Sequence, residues 1–333
     1  MATAKGLTMR CIICCEDKLQ SDMSVEHVFP ESIGGKYTIR TVCKSCNSHL
    51  GSKVDTHLVD LWFVAAERSF IGLPGKTGKT PTLFKVGRMA DDSDREVRIK
   101  ADHQTGILRP HTVQKVSTIT DEDGKESYNI SIDAADKAKL PGIVNKILTR
   151  RGLPGKTNEE IDSASEYRQV DQPEINFQIK IDLLQFQRAL WKIAYEMASS
   201  WLGESYMDDE QAIIIRKAML DESLEVDFYN KHKISGTVQF VAGSQKIIPL
   251  WFDGSKSHLC VMNVNDDAVI IYIKIFEIIE CVVVVSNTPK NYADAKEMFL
   301  SINPQNGVVR ECLLSDEFMR LSKTMFRPFG GLV

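Results

Sequence analysis

Long apolar runs are what this 333-residue chain most plainly lacks. The longest, residues 268–276 (AVIIYIKIF), is broken by Lys274 and closed by Glu277, too short and too charged to cross a bilayer. The opening residues, MATAKGLTM, lack the apolar segment of a secretory signal. A reducing cytoplasm is therefore the expected compartment, with no structural disulfides. An excess of basic charge is missing too: 41 Lys and Arg against 45 Asp and Glu leave a formal charge of −4. Nucleic-acid binders are often basic overall, so any phosphate contact here must come from local patches. A nucleotide-binding loop is also absent. GLPGKTGKT at residues 72–80 has Leu73 where the phosphate-loop pattern needs glycine.

What is present is the composition of an ordinary soluble protein, 43% hydrophobic and 26% charged, with length for two or three domains. Its most informative stretch is residues 11–55, CIICCEDKLQSDMSVEHVFPESIGGKYTIRTVCKSCNSHLGSKVD. Two Cys-x-x-Cys pairs, Cys11/Cys14 and Cys43/Cys46, bracket the dipeptide Glu26-His27, and Asn47 follows the last cysteine. Each pair forms a tight knuckle able to aim both sulfurs at one ion. Two knuckles close an all-thiolate tetrahedral zinc site with no vacant position, the structural kind. Redox chemistry would not need the second pair, and Cys15 is the spare thiol. Cys260, Cys281 and Cys312 lie in apolar or mixed surroundings as buried thiols.

The order Glu-His, Gly-Gly turn, Cys-x-x-Cys-Asn resembles the HNH endonuclease family, in its subgroup with four structural cysteines. The resemblance covers about the first sixth of the chain. It implies a ββα-metal finger, a hairpin whose first strand carries the histidine and whose following helix carries a metal ligand. Carried over position by position, His27 is the general base, and Glu26 and Asn47 are ligands of a catalytic divalent metal. Histidine suits deprotonation of water near neutral pH, and a carboxylate with an amide oxygen suits magnesium or manganese. The sequence departs from the family in two places. The usual asparagine before the second knuckle is replaced by residues 38–41 (TIRT), so a backbone carbonyl or Thr41 would orient the base. A further helix histidine is replaced by Gly51, and neither His49 nor His57 is expected to substitute. The rival reading is a non-catalytic zinc module that binds nucleic acid; it explains the cysteines but leaves Glu26, His27 and Asn47 as coincidences.

The expected fold class is α+β. A zinc-stapled finger at 1–56 precedes a larger region at 57–333, with a mostly antiparallel sheet, a central helix and a subdivision near 160–172. The resemblance implies a helix over 44–50, and the sequence pattern predicts helices over 56–70, 134–151, 183–201, 209–220 and 293–300. Alternation predicts strands between 82 and 133, at 175–181 and over 235–285. Lys76, Lys79, Lys146, Arg150 and Arg151 are the candidate phosphate contacts, with solvated surface as the plainer alternative. His103, His111, His232 and His258 are scattered without ligand spacing. The expected partner is DNA, double-stranded in preference, and the expected role is a restriction or phage-defence effector. The C-terminal region could select substrate, sense a small regulatory ligand or mediate homodimerisation; the sequence does not choose among these.

Overall fold

The computed structural model describes residues 7–75, 77–81, 86–90, 92, 95–101, 107–124, 126–169, 173–178, 181–232, 235–240 and 255–325. It is α+β and divides into two compact units, Met1–Pro81 with Ile181–Val333, and Thr82–Lys180. The boundary expected after residue 56 falls inside the first unit, and 160–172 falls inside the second.

The first unit opens with two hairpins. β1 (Thr8–Arg10) pairs with β2 (Asp17–Leu19), and β3 (Met23–His27) pairs with β4 (Thr38–Cys43), both antiparallel. α1 (Lys44–Lys53) starts directly after β4, which completes a ββα segment. The single helix expected over 56–70 is two: α2 (Asp55–Val59) and α3 (Trp62–Phe70), parted where Leu61 takes an extended conformation.

The second unit holds β5 (Gly87–Met89), β6 (Glu96–Ala101), β7 (Leu108–Thr112), β8 (Lys115–Thr120), β9 (Glu126–Ser131), α4 (Leu140–Arg150), α5 (Asn158–Ser163) and β10 (Ile175–Asn176). Its sheet runs β10-β5-β6-β7, with β8 and β9 as a separate hairpin. Pro141 sits in the first turn of α4, where its missing N–H costs nothing.

The chain then returns to the first unit. α6 (Leu183–Leu202) is capped by Asp182, whose carboxylate accepts from the Gln185 amide at 3.1 Å. It is followed by α7 (Glu210–Leu220), α8 (Val226–His232), β11 (Ser235–Phe240), β12 (His258–Val264), β13 (Val269–Ile275), β14 (Ile279–Ser286), β15 (Met298–Ile302), β16 (Val309–Leu313) and α9 (Leu314–Met325). The six strands form one antiparallel sheet in the order β11-β14-β13-β12-β15-β16. The helix expected at 293–300 is replaced by β15: Phe299, Leu300 and Ile302 are buried between β12 and β16, and sheet pairing overrides the local preference. α6 packs against β12, β13 and β14 as the central helix. One apolar core runs from Val28, Phe29, Ile33 and Leu50 of the ββα segment through Leu190, Trp191 and Ile193 of α6 to Ile271 and Val283 of the sheet.

Candidate functional site

The four paired cysteines converge. Cys11 and Cys14 lie in the turn between β1 and β2, Cys43 ends β4, and Cys46 stands in the first turn of α1. Their sulfurs all lie within 4.8 Å of one another. A zinc tetrahedron with Zn–S of about 2.3 Å needs sulfurs roughly 3.8 Å apart, which this group can reach. The backbone holds the knuckles together: the Ile12 amide donates to Thr41 O (3.0 Å), and the Cys43 amide donates to Cys11 Sγ (3.3 Å). The Cys46 hydrogen bond and nearby amides lower the Cys11 pKa to about 4, against the burial that opposes it; Cys46 is pushed the other way. Thiols crowded in this way favour a cation that takes several of them as thiolates. Cys15 stands outside the group. It closes the first knuckle at φ +58°, its amide bonded to Cys11 O at 2.8 Å.

The hairpin beside this centre is irregular between Ser24 and Glu26. Ser24 pairs with Val42 and Glu26 with Ile39, so Arg40 and Thr41 together face Val25 alone. Such a bulge sharpens the twist and re-aims neighbouring side chains. The Val25 carbonyl accepts a hydrogen bond from Asn47 Nδ2 at 2.7 Å, which fastens α1 to β3 one residue before Glu26. His27 ends the strand, half-buried. His49 is exposed and His57 half-buried. Thr41 has its carbonyl committed to the first knuckle.

Glu26 points inward and is 3% exposed. Its Oε1 lies 2.6 Å from Nζ of Lys192, a fully buried residue of α6. The same ammonium donates to His27 O (2.7 Å) and Val28 O (3.3 Å), and lies 3.3 Å from Glu196 Oε2 and 3.4 Å from Asp55 Oδ1. Burial pulls the Lys192 pKa down, but Asp55, Glu196 and Glu26 outweigh it and the net direction is up. Burial holds Glu196 well above the usual carboxylate range despite Lys192. Sequence reasoning missed Lys192, Asp55 and Glu196. A signal exists in α6, where Arg188, Lys192 and Glu196 recur every four residues as the only charged side chains of the helix, and all three are buried.

A carboxylate and an amide oxygen are donor types that a hard divalent ion takes. Glu26 supplies a carboxylate, and Asn47 spends its amide nitrogen on Val25, so its oxygen is the end able to meet a cation. Of the candidate phosphate contacts, Lys79 is exposed in the first unit, and Lys146, Arg150 and Arg151 are exposed in the second. Arg151 pairs with Glu126 at 3.3 Å and lies over the Tyr128 ring. Lys76 lies outside the described residues. No helix among the described residues is long and apolar enough to cross a membrane.

No curated protein and no solved structure matches the chain. Residues 11–63 match the HNH endonuclease family, a span that takes in both knuckles, the β3–β4 hairpin, α1 and α2. The match is confined to this span, which also holds the four-cysteine group that could take zinc.

Proposed function

We propose that the protein is a metal-dependent HNH endonuclease that hydrolyses phosphodiester bonds in DNA. The observation that carries this reading is the Asn47–Val25 hydrogen bond inside the matched domain, which brings the helix asparagine to the Glu26-His27 strand. His27 acts as general base and takes the proton of the attacking water. Glu26 and Asn47 hold magnesium or manganese, which when bound offsets charge on the phosphate and the leaving oxygen. The four cysteines hold a structural zinc that keeps β4 and α1 in register with the first knuckle. The products carry 5′-phosphates, as the family implies. Lys79, Lys146, Arg150 and Arg151 are the proposed phosphate contacts, and restriction or phage defence is the proposed role.

The placement of Glu26 against Lys192 favours a second reading, a zinc module that binds nucleic acid without cutting it. Supercoiled plasmid incubated with purified protein and Mg²⁺ or Mn²⁺ separates the two. Wild-type protein should nick or linearise it, and His27→Ala should lose about 10²- to 10⁴-fold in rate while keeping its zinc, the usual worth of a general base. Intact plasmid with wild-type protein under every metal condition selects the binding reading.

A further inference from the structure

Resting on the nuclease reading above, we infer that Lys192 is a positioning residue of the HNH site. From a helix far outside the matched domain, it holds the carboxylate of Glu26 and the backbone of His27 in the arrangement that receives the divalent ion. An ammonium has three protons. Two of the shortest contacts, to Glu26 Oε1 at 2.6 Å and His27 O at 2.7 Å, fall on the two adjacent residues that the chemistry uses. The next carbonyl, Val28 O at 3.3 Å, continues the same strand. One side chain therefore fixes both the rotamer of the proposed ligand and the path of the strand that presents the base.

A lysine that served only the core would be an expensive choice. Removing an ammonium from water is costly, and an apolar residue of similar volume often stabilises as well or better. Here the cost is met by carboxylates grouped around the ammonium. Glu26, Asp55 and Glu196 face Lys192 together, Asp55 from α2 and Glu196 from the next turn of α6. Lys192 takes one oxygen of Glu26 at 2.6 Å and so holds that carboxylate in one place, with its second oxygen as the proposed ligand atom. The domain thereby depends on α6, the helix that also packs on the six-stranded sheet.

The test measures Mn²⁺ binding to zinc-loaded full-length protein by the electron paramagnetic resonance of the free ion, beside plasmid cleavage against Mn²⁺ concentration. Lys192→Met should retain its zinc and its near-ultraviolet circular dichroism, bind Mn²⁺ at least tenfold more weakly, and need correspondingly more Mn²⁺ for half-maximal cleavage. If that variant misfolds, Lys192→Met/Glu196→Gln carries the test, because it removes one buried carboxylate along with the cation. A folded variant that binds Mn²⁺ as tightly as wild type, or more tightly, overturns the inference: Lys192 would then be a structural counter-ion or a competitor for Glu26. Wild-type Mn²⁺ binding that weakens in Lys192→Met, with no cleavage by either protein, supports the positioning role and sinks the nuclease reading. Wild-type protein without a Mn²⁺ site sinks both.

Discussion

At the scale of single residues, the two knuckles and the spare cysteine have different duties. Cys11, Cys14, Cys43 and Cys46 share one small volume, whereas Cys15 contributes a left-handed backbone and a carbonyl that accepts from Arg10 Nε. Cys43→Ser should therefore empty the centre. Structural zinc is worth roughly 10–16 kcal/mol of apparent binding energy in such modules, and its loss should uncouple β4 and α1 from the first knuckle. Cys15→Ser should keep one zinc per chain and a melting temperature close to wild type. Zinc content by atomic absorption and thermal melts check both; zinc retained by Cys43→Ser would contradict the assignment. The knuckles were legible because their geometry is set within four residues. Lys192 was not, because a charged residue in an apolar helix does not announce which distant carboxylate it meets.

At the scale of elements, the turn after β3 is locked to the sheet. Gly34 takes φ +87°, and a Cβ there would sit 2.5 Å from Pro304 Cβ; at Gly35 it would sit 1.9 Å from Phe29 O. The Gly-Gly pair was expected as a hairpin bend, and the structure adds a close approach that only glycine permits. His258 of β12 completes the joint. Its Nε2 meets Ile33 O at 2.8 Å, and the Phe276 amide donates to Nδ1 at 3.2 Å, which places the ring proton on Nε2. The ring stacks on Phe29. Burial, opposed by the Ile33 carbonyl and aided by Lys274, lowers its pKa from 6.5 to about 4. A histidine depressed on folding binds its extra proton first in the unfolded chain, so its contribution is complete above about pH 6.5 and drains away towards pH 4. Between pH 7 and pH 5 that loss is about 2 kcal/mol, from the two pKa values and 1.36 kcal/mol per unit. Urea unfolding of wild type and His258→Gln at the two pH values should show this part of the pH dependence only in wild type. Equal slopes would remove His258 from the account. From sequence, His258 was one of four scattered histidines, because its partners lie in other elements.

At the scale of the whole molecule, the segment that matches the HNH family shares its core with the rest of the first unit. Val28, Phe29, Ile33, Leu50, Val54 and Leu58 are fully buried in the core shared with α6 and the large sheet. At about 1.5–3 kcal/mol per large apolar side chain, their burial is worth on the order of 10–15 kcal/mol. That is comparable with the 5–15 kcal/mol that holds a typical domain together, so about that much is at stake when the sheet is removed. A zinc-loaded fragment ending at residue 63 should bind a hydrophobic dye and give poorly dispersed amide resonances. A well-dispersed spectrum with a melting temperature near that of the full chain would show the domain to be autonomous.

The sequence by itself determined the parts whose signals lie close together: the cysteine pairs, the Glu-His strand, the helix that begins at the second knuckle, and the alternation of the large sheet. These are short-range patterns, set by the bond geometry and periodicity of one segment. Only the tertiary structure decided that Glu26 meets a buried lysine, that the helix expected over 293–300 gives way to a turn and the start of β15, and that the ββα segment and the C-terminal sheet share one core. Those outcomes depend on burial and charge pairing between segments distant in the chain, and no local pattern encodes which two will meet.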